Sequence, residues 1–588
     1  MIRWYIKGVA HTEDKTIDNP ELEVLKRNKE TSYNWQERRH DAWEQIYTLY
    51  RNIPEMNRLT QRQSVTMPLM KRTILSLLKD IDQLAVITFE DLENNVERQT
   101  RYNEYWKLTA DENNLELKDY TDKKQNLMYG RSHKQIQIID GKVKIGVLDV
   151  YDLLIDRYVD PLDIDATARS MIHQHIFVTL DSLEQNEFYN KQAIERLKEF
   201  YGTELGLITA RDNQAALERK NERMSDMGVV DVDNPMVGAS IVELSQHFVY
   251  EYNDGLKKEV IYMKVEADGQ EIIMSKPLFE VIGNTDDNYW HNHYPYTSWA
   301  IDPERIDIWS DGVGDTIRAT NLVLNSWTSQ LVENRTMRSF GMNIFDASMK
   351  GFNPQMWEAM AWGWYGIPVP TGKKLGDVFQ KIDIPDLSES LDEMQFMIEI
   401  SERSSGATTT QQGAVEKGQT TLGEIDKALV EAKERSQSSV KFDIKDKREL
   451  GMKFIKMIEA AGDKLDVVKI FKKGKIGGEK NFSHTIDPVK DLTSKLGTKV
   501  KVWSQNDKVA HDSEALQKLQ MLKGAMPFNP VVNKVYNKKL SEFADLTPDE
   551  VKEVMEFEEK NPGINQGIPG AQPPQATQPG APPVQPTI

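Results

Sequence analysis

Apolar and polar positions change rhythm several times along this chain. Between residues 20 and 130 the helical period dominates. In LMKRTILSLLKDIDQLAVI (69–87) the apolar side chains fall three and four apart, which predicts one helix across the stretch. At IQIIDGKVKIGVL (136–148) the period drops to two on either side of Asp140-Gly141, the pattern of a β-hairpin. Residues 150–185 hold strand-like pieces, an acidic turn after Asp160-Pro161, and a helix opening at Thr179 or Asp181. Residues 187–235 read as helix followed by a charged, loosely structured stretch. Next, HFVYEYNDGLKKEVIYMKVEADGQEIIMSKP (247–277) predicts a meander of three short strands turning at Asp254-Gly255 and Asp268-Gly269.

The middle returns to the helical period. In GVGDTIRATNLVLNSWTSQLVENR (312–335), Val313, Ile317, Thr320, Leu324, Trp327 and Leu331 form a narrow seam with one polar member. A second helix is expected from an Asp386 cap, with Glu389 at its third position and a stripe of Leu387, Leu391, Met394 and Ile398. Between them lies a small module rich in aromatic residues, Trp357, Trp362, Trp364 and Tyr365, in which Pro368 and Pro370 stop any helix. Thr421 and Glu424 then open a long helix running toward Gly462, with Ser436-Gln437-Ser438-Ser439 as the place where a break would fall. A basic, strand-like segment spans 465–503. Three short helices are expected near 512–524, 529–542 and 548–560. The tail 561–588 holds eight of the 24 prolines and no charged side chain; it cannot bury a core and is expected to be disordered. The whole reads as an α+β chain, predominantly helical.

Composition narrows the chemistry. The 588 residues carry 74 Lys and Arg against 92 Asp and Glu, a formal charge of −18. That is the wrong sign for a tight, sequence-independent DNA binder, which must neutralise phosphates. The chain has no cysteine, so disulfides, thiolate–zinc sites and thiol nucleophiles are excluded. The first residues show no long apolar run of the kind a signal peptide needs, and no run of 18 apolar residues predicts a membrane span.

Several motifs approach known chemistry. GAVEKGQT (413–420) approaches the phosphate-binding template, with Gly413, Gly418 and Thr420 in place, but Gln419 stands where the lysine belongs. It also follows a helical pattern instead of a buried strand. SGATTTQQGAVEKGQ (405–419) reads more simply as a hydrated loop, long enough to suggest a function. His173/His175 and His291/His293 are His-x-His pairs; on a strand each pair would share a face and could hold a metal, or serve as edge polar residues. Asp160, Asp163 and Asp165 lack the glycine and terminal glutamate of a calcium loop, so a capped turn is the plainer reading. Lys469, Lys472, Lys473, Lys475 and Lys480 with Phe471 form a short basic run that reads as a solvated hairpin, a weak nucleic-acid patch or a contact for an acidic neighbour. No nucleophile elbow appears, and nothing marks a catalytic residue, a cofactor site or a metal site.

The order of parts resembles the portal proteins of tailed bacteriophages. VDPLDIDATARSMIHQHIFVTLDSLE (159–184) is similar to the wing segment in which Asp-Pro precedes an acidic turn and a strand. HYPYTSWAIDPERIDIWSDGVGDTIRATNLVLNSW (293–327) resembles the segment where an aromatic-Pro strand passes through a glycine-containing turn into the first stem helix. The block 405–458 resembles the tunnel loop and the helix behind it. The likeness spans about residues 20–545.

The resemblance implies a 12-subunit ring with wing, stem, clip and crown at one capsid vertex. Residues 1–311 and 421–505 would form wing and body, 312–336 and 386–404 the stem, 337–385 the clip, 405–420 the tunnel loop and 506–560 the crown. The seam residues Val313, Ile317, Leu324, Trp327, Leu331, Leu391, Met394 and Ile398 would pack the stem. Thr408, Thr409, Thr410, Gln411, Gln412, Lys417 and Gln419 would face passing double-stranded DNA without binding sequence. Trp357, Trp362, Trp364 and Tyr365 would offer a clip surface to partners. The implied partners are further copies of the chain, the terminase large subunit, head-completion or adaptor proteins and the major capsid protein. The implied place is the virion, after assembly in the host cytoplasm, with no membrane, no enzymatic activity and no cofactor. A nucleotide-driven motor or nuclease component and another head–tail connector stand as the alternatives.

Overall fold

A computed structural model describes residues 19–54, 64–81, 85–93, 95–228, 240–283, 289–303, 307–340, 342–345, 379–382, 386–387, 390–405, 422–461, 464–473, 481–492, 497–526 and 529–543. These form a mixed helix-and-strand fold, and no helix among them is long and apolar enough to cross a membrane. Two compact units emerge, one of residues 1–467 with 487–505, the other of 468–486 with 506–588.

The first unit opens with α1 (Pro20–Arg51). Asn19 caps it by accepting from the Glu21 amide, and Pro20 sits at the first helical position, where its missing N–H costs nothing. Then come α2 (Leu69–Ile81), β1 (Ala85–Asp91), α3 (Val96–Glu112) and α4 (Leu115–Tyr129). The single helix expected over 69–87 therefore ends at Ile81. The residues after Leu84 are β-branched and aromatic, suited to a pleated strand, and β1 pairs antiparallel with β14 (Thr498–Ser504), some 400 residues downstream. Tertiary pairing overrides the helical spacing here.

The hairpin at Asp140-Gly141 forms as expected, from β2 (Arg131–Ile139) and β3 (Lys142–Leu148). Both turn residues have positive φ, 49° and 72°, the conformation this short turn needs. With β9 (Tyr296–Ala300) they make a three-stranded sheet in the order β3-β2-β9. A larger antiparallel sheet runs β4-β5-β6-β7-β8 from β4 (Leu153–Ile155), β5 (Ser170–Thr179), β6 (Ile241–Asn253), β7 (Lys258–Ala267) and β8 (Glu271–Pro277). The expected meander is its last three strands, but β6 begins six residues earlier than the sequence suggested and runs 13 residues, because its first half pairs with β5. Thr179 caps α6 (Leu180–Gln185), one of the two expected starts. With α7 (Lys191–Tyr201) and α8 (Glu204–Met227), α6 covers one part of this sheet. There Ile194, Leu197 and Tyr201 bury against Val242, Val265 and Ile273.

Short α5 (Ile164–Thr167) closes the acidic turn, and α9 (Leu278–Ile282) follows β8. The helix α10 (Val313–Phe340), the antiparallel pair β10 (Met342–Phe345) and β11 (Phe379–Ile382), and α11 (Ser390–Ser405) follow in order. Then α12 (Leu422–Ala461) runs 40 residues without the interruption considered at 436–439; four polar residues do not break a helix whose later turns are anchored. That anchor is Phe454, fully buried, with Trp106 at 4.8 Å and Tyr105 and Phe89 at 5.9 Å between ring centroids. Four-residue α13 (Pro488–Asp491) precedes β14.

The second unit holds the antiparallel pair β12 (Val468–Lys473) and β13 (Asn481–Ile486), with α14 (Gln505–Ala525) and α15 (Pro530–Phe543). The third expected helix, 548–560, and the tail lie outside the described residues.

Candidate assembly surface

The long helix α10 starts at a crossing built for glycine. Gly312 and Gly314 lie on the C-terminal end of α4, where Gly130 ends that helix with φ +85°. A Cβ on Gly312 would sit 2.6 Å from the Gly130 nitrogen, and one on Gly314 would press into the Met128 carbonyl. The glycine-containing turn noted in the sequence is thus a backbone-on-backbone contact that no side chain can enter. Arg39 of α1 clamps it with one guanidinium nitrogen on Asp311 and another on Asp315, each at 2.6 Å. Burial raises the Asp315 carboxyl above its usual range, against the pull of Arg39 and the Gly312 amide.

Further along α10, three polar side chains spaced by four receive the chain that leads into α2. Asn321 Oδ1 accepts from Met70 N at 3.0 Å, Asn325 Oδ1 from Met67 N at 2.7 Å, and Ser329 Oγ from Val65 N at 2.9 Å. The first amides of a helix have no partner within it, so Asn321 caps α2 from outside through Met70, while Asn325 and Ser329 hold the chain that enters it. Sequence reasoning missed this ladder; its only signal was an Asn-x3-Asn-x3-Ser spacing beside the apolar seam. Arg72 of α2 pairs with buried Glu402 of α11, and Arg338 of α10 with Asp386 at 2.6 Å.

The seam residues divide into three groups. Ile317 and Leu324 are wholly buried and Met394 nearly so, inside this chain's own packing. Val313, Trp327, Leu331 and Ile398 are partly buried, and Leu391 is exposed. The expected Asp386 cap is replaced by a later start at Ser390, whose amide bonds to Leu387 O, so Leu387 and Leu391 fall at the loose end of the helix. While α10 and α11 pack on each other, Phe396 and Ile400 stand one turn apart on the outer face of α11, 60% and 40% exposed. On α10, Leu322, Val323 and Met337 are exposed as well. Each helix of the pair thus leaves apolar side chains uncovered within the single chain.

The other candidates resolve differently. The loop residues Thr408, Thr409, Thr410, Gln411, Gln412, Lys417 and Gln419, and the aromatic residues Trp357, Trp362, Trp364 and Tyr365, lie outside the described residues. The register of β5 shifts between His173 and Ile176, and His175 takes φ +57°, so this His-x-His pair does not share a strand face. His173 bonds through Nδ1 to Tyr296 Oη at 3.1 Å, whereas His175 Nδ1 lies 3.2 Å from Asp152. Burial would raise the Asp152 carboxyl, yet Lys220 at 2.7 Å and the histidine hold it well below the usual range. His291 and His293 end a 3₁₀ turn and begin a loop; one packs edge-on to Phe279, the other stacks on Tyr289 at 3.9 Å. Among the described residues no group of three or more acidic or histidine side chains could hold a metal ion.

Asp160 and Asp163 accept from the Leu162 and Ala166 amides and cap the acidic turn locally, while Asp165 accepts from the Tyr294 amide and ties the turn to the segment before β9. Of the basic run, Lys469, Lys472 and Lys473 lie on β12, while Lys475 and Lys480 lie outside the described residues; among these lysines only Lys469 has a described side chain, which is exposed.

No protein-family model and no curated protein matches this chain.

Proposed function

We propose that this chain is the repeating subunit of a ring that surrounds double-stranded DNA, the portal of a tailed-phage capsid. The observation that carries the reading is the helix pair α10 and α11, packed on each other while Phe396, Ile400, Leu322, Val323 and Met337 remain exposed. Isolated apolar side chains on a surface are ordinary; a run of them along two packed helices fits a surface that neighbouring copies cover. A head-to-tail contact of this kind closes into a ring when its rotation closes. Residues 337–385, which include the paired β10 and β11, would form the clip that meets the terminase and adaptor proteins.

Charge supports the same reading. Every copy adds −18, so a channel lined by copies repels phosphate and lets a duplex slide. The glycine-, threonine- and glutamine-rich stretch 405–420 would face that duplex with exchangeable hydrogen bonds and few charges, which answers the near-match to a phosphate loop without any nucleotide. Negative-stain microscopy of the purified full chain tests the proposal. Rings with a central hole are expected, and solitary particles at every concentration and salt would overturn it. An ATPase assay separates it from the motor alternative, since the ring reading expects no turnover.

A further inference from the structure

Away from the helix pair, a small cleft opens between the acidic turn, β9 and α12. Tyr296, Trp299 and Phe442 line it, together with four carboxylates, Asp163, Asp165, Asp446 and Glu449; among the lining residues Lys445 is the one cation. Most of these charges are engaged. Asp163 caps α5. Lys453 Nζ lies 2.8 Å from Asp165 and 2.7 Å from Glu449, and Lys445 donates to the Leu162 carbonyl.

Asp446 differs. It is 3% exposed, its Oδ2 accepts from Lys134 Nζ at 2.7 Å, and its Oδ1 is buried without any hydrogen bond. Behind it, Lys134 also holds Asp122 at 2.8 Å and Asp119 at 3.5 Å, while Lys447 holds Asp119 at 2.7 Å and Asp443 at 3.1 Å. Two ammonium groups therefore serve four carboxylates in direct contact. Among the neighbouring cations, the Arg131 guanidinium attracts Asp446 through space, but neither it nor Lys123 gives Asp446 Oδ1 a hydrogen bond. Lys123 acts on Asp119, and the Arg131 guanidinium donates to the neutral oxygens of Ile308, Ser298 and Pro161. A buried carboxylate oxygen with no donor is costly. Burial duly pushes Asp122 up to about 6 and raises Asp446 as well.

We infer that this cleft binds a small organic cation, a guanidinium or primary ammonium group, whose N–H donors meet the free oxygen of Asp446 beside Trp299, Tyr296 and Phe442. The aromatic side chains add cation–π attraction at a desolvated site. Trp299 also donates through Nε1 to Asp122 at 2.8 Å, so the wall of the cleft is bonded to the acid-rich cluster. The same chemistry is supplied by a free amine or by an arginine or lysine side chain of another polypeptide. The site does not depend on the ring proposal.

Isothermal titration of the full chain tests it, with methylguanidinium and propylammonium as free probes and a short peptide bearing one arginine as the side-chain probe. Saturable binding is expected, tighter at pH 8 than at pH 5.5, because the cation favours ionised Asp446. Asp446→Asn should weaken it about tenfold. Glu449→Gln, at the more exposed edge, should weaken it less, and it carries the test if Asp446→Asn fails to fold. Tighter binding of the peptide would mark a protein side chain as the ligand, and preference for the free cations a small amine; either supports the site. No saturable binding of any probe, or binding that neither variant nor pH alters, would overturn it.

Discussion

Gly314 rests against the carbonyl of Met128 so closely that a methyl group in place of its hydrogen would overlap that oxygen. The contact sets where α10 leaves α4, and through α10 it sets the start of the whole helix pair. Gly314→Ala is therefore expected to cost about 3 kcal/mol, the upper range for overpacking against backbone that cannot move aside. Urea denaturation of the full chain would show the loss. Gly524→Ala serves as the contrast, since a Cβ there meets nothing within 4 Å and a helical alanine should be neutral or stabilising. Equal stability of Gly314→Ala and the parent would mean that the two helix ends separate easily.

The ladder on α10 makes a second prediction. Asn325→Ala removes the acceptor of the Met67 amide and Ser329→Ala that of the Val65 amide. Each should lower stability by about 1 kcal/mol, the usual worth of one hydrogen bond to a backbone amide. Hydrogen exchange should show faster exchange at the residue 65–70 amides while α12 stays protected. Exchange that rises evenly across the chain would contradict local anchoring by the ladder.

How much of this was legible in the sequence depended on the range of the interaction. Asp140-Gly141 and Asp268-Gly269 announce their turns because positive φ is a local demand that few residues meet. Thr179 announces α6 for a similar reason. The pairing of β1 with β14 joins segments with no local sign of each other, and Gln-Leu-Ala-Val-Ile looked helical by spacing alone. The interior of β2 was equally hidden. Arg131, His133 and Lys134 are polar residues of the type usually read as surface, yet all three are buried. What satisfies Arg131 and Lys134 are groups from distant segments, including the Ile308 carbonyl and Asp446. For the assembly surface, the seam of α10 was readable. Which of its residues turn inward was not, because that depends on α2 and the polar ladder.

The same buried polar interior makes stability fall in acid. His133 and His173 are fully buried, and burial lowers both from 6.5 to about 3 against the attraction of Asp152. A base whose folded pKa is depressed stays neutral in the fold but takes up a proton when unfolded. Its contribution is complete above pH 6.5 and lost progressively as pH falls from 6.5 toward 3. Each ring should cost about 2 kcal/mol by pH 5. Asp122 and Asp268, both raised to about 6, act oppositely, since their folded forms hold protons that the unfolded chain releases between pH 4 and 6. The informative quantity is thus the difference between His133→Gln and the parent in urea midpoints at pH 8, 6.5 and 5. The difference should shrink or reverse on acidification; a constant one would show that His133 does not titrate on unfolding.

The assembly reading makes its sharpest demand on residues that the fold itself does not need. Leu324 is completely buried, so Leu324→Asp should unfold the chain and say nothing about neighbours. Phe396 and Ile400 are exposed on the outer face of α11, where a carboxylate finds water in an isolated subunit and loses it only beneath a second copy. Phe396→Asp/Ile400→Asp should therefore leave the far-ultraviolet circular dichroism and the urea midpoint of the subunit within about 0.5 kcal/mol of the parent, as for surface substitutions. Burying two unpaired charges per contact should at the same time remove rings from micrographs and shift the sizing profile to the monomer. Rings that persist with both aspartates in place would show that this face points to solvent in the assembly, and the surface carrying the portal proposal would have to be sought elsewhere.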